Sequence, residues 1–140
     1  MAPVKRGASV YLDANILIRI TEGVEDDRNA IHAALLPYVD AKVVFVTSEL
    51  TFTEVLVHPF RLKHQARIER YHQLMTEFVE PLPISREVLF VAARLRADSP
   101  ALRTPDAIHT ATAILAKASV FITGDRGIKT GVGQLVIEHV

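Results

Sequence analysis

Short runs of apolar residues alternate along this chain with longer segments of helical periodicity. The runs are Val10–Leu12, Val43–Val46, Val120–Thr123 and Leu135–Ile137. Their length and composition are typical of strands that are buried on both faces of a parallel sheet. Between them, apolar residues recur at intervals of three and four, as on the buried face of a helix. The alternation predicts an α/β fold, a three-layer α/β/α sandwich around a central parallel sheet.

The helix boundaries follow from capping residues and prolines. Helices are predicted from Ile16 onward, from Asp26 to Pro37, from Leu50 to Val57, from Pro59 to about Val79, from Ser85 to just before Asp98, and from Thr104 to Ala118. Thr104 precedes a proline and an acid, a strong signal for a helix start with Thr104 as the cap. The helix after Ser85 is expected to turn inward Val88, Leu89, Val91, Ala92 and Leu95. Pro81–Ile84 is too rich in proline for a central strand and fits an edge strand or a connector.

Length and composition exclude several classes of protein. The 140 residues, without repeat or linker, predict one domain spanning residues 1–140. The absence of cysteine excludes disulfides, thiolate metal sites and thiol nucleophiles, and is compatible with an intracellular location. No apolar run of membrane-spanning length occurs. With 16 basic and 16 acidic residues the chain is neutral, so any nucleic-acid binding must depend on local features.

Four acidic residues fall where the predicted topology brings strand ends together. Asp13 directly follows the first strand, and Asp125 follows the strand ending at Thr123 after a single glycine. Asp106 lies in the first turn of a helix, and Glu54 lies one to two turns into the helix after Val46. In open α/β sheets, ligands bind outside the carboxyl ends of the strands. Carboxylates that converge there would repel one another unless a cation lay between them, and Mg²⁺ or Mn²⁺ prefers such oxygen ligands.

This arrangement suits metal-assisted hydrolysis of a phosphodiester, which needs acids and no protein nucleophile. Each acid also has a purely structural explanation, since aspartate is favoured at helix starts and in loops, where Asp106 and Asp13 lie. Glu54 competes with Glu49, five residues earlier and therefore on a different side of the helix.

Other polar residues have two interpretations each. Asn15 could cap the first helix, the simpler interpretation, or could hold Asp13 through its amide. His109 shares a helix face with Asp106, but a single helical histidine is more often a structural residue, so it is given no catalytic role. Four basic residues form the most basic stretch of the chain and could bind RNA or simply face solvent: Arg61, Lys63, Arg67 and Arg70.

Four segments resemble the motif blocks of the PIN domain family, specifically its VapC-type toxins: Leu12–Leu17, Ser48–Leu56, Thr104–Ala113 and Phe121–Asp125. The resemblance runs from about residue 9 to the end of the chain and implies a compact α/β/α sandwich. By position, it places the family's catalytic acids on Asp13, Glu54, Asp106 and Asp125. It assigns metal binding chiefly to Asp13, Asp106 and Asp125, with Asn15 and Thr123 as supporting polar residues. The chain departs from the family at Ile128, where an aromatic residue is often found.

The resemblance further implies a Mg²⁺- or Mn²⁺-dependent endoribonuclease that acts in the cytoplasm as the toxin of a toxin–antitoxin pair. Its expected partners are an RNA substrate, a cognate antitoxin and a second copy of the chain, with no membrane association. Candidate contributors to an antitoxin groove are Ile16, Ile18, Leu35 and Leu36, although most of these are expected in the core.

Three other functions suit an α/β fold with an acid at the end of a strand. A phosphoryl-accepting receiver domain would need an acidic residue next to Asp13 and a lysine after a later strand. Asp13 has no acidic neighbour, and no predicted strand places Lys129 near the site. A phosphatase with an aspartate nucleophile would need a second aspartate at position 15, which is asparagine. A non-catalytic RNA- or partner-binding module with the same fold would keep the architecture without the turnover.

Overall fold

The strands and helices of the computed structural model, which describes residues 4–127 and 135–140, alternate along the chain. The strands are β1 (Ser9–Leu12), β2 (Val44–Ser48), β3 (Glu80–Leu82), β4 (Val120–Thr123) and β5 (Val136–His139). The helices are α1 (Ala14–Glu22), α2 (Glu25–Asp40), α3 (Leu50–Arg61), α4 (Gln65–Glu77), α5 (Arg86–Asp98) and α6 (Thr104–Leu115). The helix pairs α1–α2, α3–α4 and α5–α6 supply the crossovers from β1 to β2, from β2 to β3 and from β3 to β4.

All strand pairs are parallel, and the order across the sheet is β3-β2-β1-β4-β5. From β1 the chain first builds toward one edge through β2 and β3, then returns to the other side of β1 with β4 and β5. The order reverses between β1 and β4, which is the switch point where α/β proteins bind ligands. Receiver domains have the order 2-1-3-4-5 instead, so the receiver alternative is wrong.

Helices cover both faces of the sheet. On one face, Val10 and Leu12 of β1 pack with Ile122 of β4 against a layer formed by α1, α2 and α4. On the other face, Tyr11 and Phe121 pack against α6, and α5 covers the outer side of α6. Neighbouring strand residues point to opposite faces, so each strand contributes to both cores. The predicted three-layer α/β/α class is confirmed.

Two helices continue through prolines at which the sequence suggested a boundary. The second helix was expected to end at Pro37, but α2 runs to Asp40. The helix from Leu50 was expected to stop at Val57, but α3 includes Pro59 and ends at Arg61. Tertiary packing outweighs the local cost of the proline ring here, since Tyr38 is completely buried beyond Pro37.

No helix in the described parts of the chain is long and apolar enough to cross a membrane.

The other differences are local. The single helical stretch expected from Pro59 to Val79 is broken at residues 62–64, where Lys63 has a left-handed backbone (φ 52°). Thr104 is the first residue of α6 and not its cap, which is Arg103. Leu89 was expected to face inward, but it is 47% exposed. Ser85 does cap α5, accepting a hydrogen bond from the Val88 amide, and β3 is the predicted edge strand.

Candidate active site

Asp13 and Thr123 lie side by side at the carboxyl ends of the two central strands. Leu12 pairs with Ile122 in the β1–β4 ladder, and the Asp13 amide donates to the Ile122 carbonyl at 3.0 Å. Because strand residues alternate between faces, Asp13 follows Tyr11 on the α6 side of the sheet and Thr123 follows Phe121. The switch point between β1 and β4 thus carries a carboxylate and a hydroxyl.

The carboxylate of Asp13 is held by three neighbours and is only 4% exposed as a residue. One oxygen, Oδ1, caps α1 by accepting the Ala14 amide at 2.8 Å. The other, Oδ2, accepts the Thr123 hydroxyl at 2.8 Å and the Asn15 side-chain amide at 3.0 Å. The expectation that Asn15 caps the helix is therefore wrong, because Asp13 occupies that position. The alternative, in which the Asn15 amide holds Asp13, describes the observed contact.

Asn15 and Thr123 also shape the segment that follows β4. The Asn15 side-chain oxygen accepts the Gly124 amide at 2.8 Å, and the Thr123 hydroxyl accepts the Asp125 amide at 2.9 Å. A Cβ at Gly124 would lie 3.1 Å from the Arg19 guanidinium and 3.3 Å from Asn15 Oδ1, so the turn passes close to α1 at a residue without a side chain. Asp125 accepts the Gly127 amide at 2.8 Å, and Ile128 lies outside the described residues.

Asp106 brings a further carboxylate to the site from the first turn of α6. Its side chain is 18% exposed and lies 3.4 Å from the Arg103 guanidinium. Burial raises the pKa of Asp106 above its ordinary value, and the nearby charges of Asp125 and Asp13 raise it further against the opposing effect of Arg103. The three aspartates therefore share one region of negative potential.

Glu54 reaches the site from α3 and binds a histidine to which the sequence interpretation gave no catalytic role. His109 is 1% exposed, and its Nε2 lies 2.5 Å from Glu54 Oε1 and 3.8 Å from Asp13 Oδ1. Its Nδ1 lies 2.5 Å from the hydroxyl of Tyr11. Burial lowers the pKa of His109, but the Glu54 hydrogen bond and the neighbouring carboxylates outweigh it and raise this pKa above its ordinary value. Glu49, the competing glutamate, is exposed.

The donor chemistry of these side chains fits a hard divalent cation. All the acids offer oxygen, and a cation would relieve the repulsion that, together with the larger effect of burial, raises the pKa of Asp106. Within residues 4–127 and 135–140, however, no three carboxylate or imidazole groups stand close enough to enclose an ion. Mg²⁺ is usually held by one or two carboxylates together with water, so the set fits a partly hydrated ion.

The basic stretch does not form one continuous solvent-facing row. Arg61, Lys63 and Arg70 are exposed. Arg67 instead lies 3.1 Å from Glu22, and its side chain is 27% exposed. The same glutamate also accepts a short hydrogen bond from the Tyr71 hydroxyl. Arg67 thereby ties α4 to α1, while its three basic neighbours remain on the surface.

A groove of about 760 Å³ runs between α2 and α4 on the face of the sheet away from α6. Leu35 and Leu36 both line it; Leu35 is almost completely buried and Leu36 is 56% exposed. Ile16 is fully buried in the core, as expected for most of the groove candidates, and Ile18 is partly buried. Charged residues at the rim include Arg28, Arg70 and Glu77, so the groove is apolar at its base and polar at its edge.

Several solved structures share this fold over nearly the whole chain. The VapBC2 structure from Rickettsia felis, bound to a promoter DNA fragment, has a TM-score of 0.75 at 16% identity, covering 94% of this chain and 98% of that one. VapBC-5 from Mycobacterium tuberculosis has a TM-score of 0.61 at 23% identity, covering 95% and 99%. A toxin–antitoxin complex from Klebsiella pneumoniae has a TM-score of 0.65 at 24% identity, covering 91% and 95%.

At these identities the structural likeness concerns the fold alone. No curated protein has a sequence close enough to this chain to match it. The model of the PIN domain does match, over residues 10–131, which include every acidic residue assigned to the site. This match spans most of the chain and agrees with the observed sheet order and with the carboxylates at its switch point; the chain belongs to the PIN domain family.

Proposed function

We propose that this PIN domain is a Mg²⁺- or Mn²⁺-dependent endoribonuclease that acts in the cytoplasm as the toxin of a toxin–antitoxin pair. The observation that carries the proposal is the position of Asp13 at the end of β1, joined through the Thr123 hydroxyl at the end of β4 to the Asp125 amide. Asp106 lies near enough that, beyond the effect of burial, the charges of Asp125 and Asp13 raise its pKa. Carboxylates grouped in this way repel one another and lower the stability of the folded protein. Binding of a cation between them is the simplest way to offset that repulsion.

In this proposal, Asp13, Asp106 and Asp125 hold the cation, and Asn15 and Thr123 keep Asp13 in place. The bound ion would neutralise charge that develops on the phosphodiester and increase the acidity of water. Glu54 uses Oε1 to bind His109, which leaves its second oxygen free to take a proton from water at the site. Its side chain is 31% exposed, so water reaches it.

The test is cleavage of total cellular RNA by purified protein with Mg²⁺, with Mn²⁺ or with EDTA. We expect cleavage that requires a divalent ion and falls below detection in Asp106→Asn. Asp40→Asn is the matched control, because Asp40 is an exposed residue that precedes β2 at the opposite end of the sheet. Cleavage by Asp106→Asn at the parental rate would overturn this assignment of the site.

A non-catalytic RNA- or partner-binding module is the second candidate. One observation favours it, namely that no three acidic or imidazole groups of the described residues are close enough to enclose an ion. If this candidate is correct, neither the parent nor Asp106→Asn cleaves RNA with any ion, and isothermal titration detects no Mg²⁺ binding at the acids.

The proposed partners have candidate surfaces. The structural neighbours are toxin–antitoxin complexes, and an amphipathic antitoxin helix would suit a groove with an apolar base and charged rim between α2 and α4. The exposed Leu89 and Phe90 of α5 offer an apolar surface for a homodimer. Sedimentation of the purified chain, alone and with its co-expressed antitoxin, measures both assemblies. A monomer at all concentrations would contradict the dimer.

A further inference from the structure

A buried hydrogen-bonded chain links the sheet to the glutamate of the site. It begins at the Tyr11 hydroxyl on β1, passes through both ring nitrogens of His109 on α6, and ends at Glu54 Oε1 on α3, with 2.5 Å at each contact. Tyr11 and His109 are completely or almost completely buried, whereas the Glu54 side chain is 31% exposed. This series of hydrogen bonds thus runs from the core to the solvent-facing rim of the site.

The chemistry of the three groups sets the direction of the hydrogen bonds. An ionised carboxylate only accepts, so the proton between His109 and Glu54 belongs to Nε2. In a neutral imidazole, Nδ1 is then an acceptor, and the phenol of Tyr11 donates to it. Burial raises the pKa of Tyr11 well above its usual value, so this phenol keeps its proton. Glu54 and Tyr11 therefore favour the same histidine tautomer, in which Nε2 donates and Nδ1 accepts.

Packing alone does not require this arrangement. Tyr11 stacks on Phe121 with ring centroids 4.9 Å apart, and its contact with His109 is edge-on at 5.8 Å. An apolar residue could fill the place of His109 without the cost of burying two polar nitrogens. Glu54 lies on the surface of α3, where a glutamate with no partner would sample many rotamers.

We propose that His109, oriented by Tyr11, is a positioning residue that fixes the carboxylate of Glu54 for the hydrolysis described above. The proposal rests on the nuclease function for its catalytic consequence. Its geometric part, the fixed tautomer and the fixed carboxylate, holds in the protein without metal or RNA and can be measured separately.

The first experiment measures the imidazole nitrogens of His109 by ¹⁵N NMR in the metal-free protein, with the signals assigned by comparison with His109→Gln. We expect the neutral ring to carry its proton on Nε2 in the parent, and to keep it there in Glu54→Ala, where Tyr11 still donates to Nδ1. Glu54→Ala combined with Tyr11→Phe should give a mixture of tautomers. A neutral ring protonated on Nδ1 in the parent would overturn the proposal. So would a double variant with the same single tautomer as Glu54→Ala, since Tyr11 would then have no effect on the ring.

The second experiment is a double-mutant cycle on single-turnover RNA cleavage. His109→Leu is expected to lower the cleavage rate roughly 10- to 100-fold, as is usual for a residue that supports a catalytic ligand, with little change in KM. His109→Gln, whose amide reaches toward Glu54, should recover part of this loss. In a Glu54→Gln background, His109→Leu should change the remaining rate by less than about 2-fold, because coupled residues are not additive.

An equal effect of His109→Leu in both backgrounds, or no recovery by His109→Gln, would show that the histidine is only structural. Thermal unfolding of each variant identifies loss of folding, and Tyr11→Phe provides the mildest change if His109→Leu does not fold. If the parent cleaves no RNA under any condition, the nuclease function fails, and the NMR result alone decides whether Tyr11 and His109 position Glu54.

Discussion

The hydroxyl of Thr123 donates a hydrogen bond of 2.8 Å to Oδ2 of Asp13, joining residues 110 positions apart in the chain. The same hydroxyl accepts the Asp125 amide, so one oxygen connects two of the site's acidic residues. Thr123 is completely buried, and β-branched residues have restricted side-chain rotamers. The end of β4 therefore sets the position of the carboxylate at the end of β1.

Thr123→Val tests this connection, because valine keeps the shape and removes the hydroxyl. The change leaves the Asp125 amide and one Asp13 oxygen short of a partner, so we expect a loss of about 1–3 kcal/mol in the free energy of unfolding, together with slower RNA cleavage. Urea denaturation measures the free energy of unfolding, and a cleavage assay measures the rate of RNA cleavage. Thr76→Val, at an exposed threonine of α4, should cost less than about 0.5 kcal/mol. Equal stability of the Thr123 variant and the parent would contradict the prediction.

Asn15→Asp replaces the amide that holds Asp13 with a second carboxylate of the same shape. We expect a lower Tm in EDTA, because the donor is lost and two negative charges face each other. If a cation binds here, millimolar Mg²⁺ should raise the Tm of Asn15→Asp by more than it raises that of the parent. Asn29→Asp, on the exposed surface of α2, is the control. Identical Mg²⁺ responses in all three proteins would argue against a cation beside Asp13.

Asp106→Asn should stabilise the protein at neutral pH in the absence of divalent ions. Because the pKa of Asp106 is raised, the folded state binds its proton more tightly than the unfolded chain, and the ionised carboxylate costs stability above that pKa. Asparagine removes this cost, so the gain should shrink as the pH falls through the folded pKa and be absent below the ordinary value of 3.8. Thermal unfolding across pH measures the difference. A variant less stable than the parent at neutral pH would contradict the reasoning.

Leu36→Asp should abolish binding of the proposed antitoxin without unfolding the protein. Leu36 lines the groove between α2 and α4 and is 56% exposed, so a charge there disturbs the surface and not the core. Leu62→Asp is matched closely, since Leu62 is 57% exposed and is absent from the groove lining. Co-purification of each variant with the antitoxin gives the readout. Loss of binding in Leu62→Asp and not in Leu36→Asp would show that the partner binds to another surface.

Arg61→Ala combined with Lys63→Ala should weaken RNA binding and reduce its salt dependence, because phosphate contacts release counterions. Arg6→Ala combined with Lys42→Ala is the control pair, because both residues are exposed and precede the amino ends of β1 and β2. Lys42 and Lys63 both have left-handed backbones, with φ of 55° and 52°, so alanine is equally strained in each. Filter binding at several salt concentrations measures the RNA affinity of both double variants and its dependence on salt. Equal loss in both would mean that overall charge matters and not this stretch.

The parts of the fold that the sequence predicted best are those with the least ambiguous local pattern. Val120–Thr123 is a strand over those four residues, since a short apolar run between turn residues has few alternatives. Asp13 was placed at a strand end for the same reason. Because the order of elements implies a parallel sheet, the sequence alone predicts that the acids lie at the edge formed by the carboxyl ends of the strands.

The errors arose where long-range packing decides the outcome. The sequence does not reveal that Tyr38 is buried beyond Pro37, and so cannot show that α2 continues. The pairing of Tyr11 with His109 joins residues 98 positions apart, and no local pattern predicts it. The available hint was the three-residue spacing of Asp106 and His109, which places both on one face of α6.

The switch point also has a consequence for the order in which this protein is made. Asp13 leaves the ribosome long before Thr123 and Asp125, which follow only after α6 has been made. Until β4 pairs with β1, the hydroxyl that holds Asp13 is missing, whatever has already folded. A nascent chain therefore carries an incomplete site until β4 has been made and has paired with β1. Synthesis itself delays the appearance of the complete site.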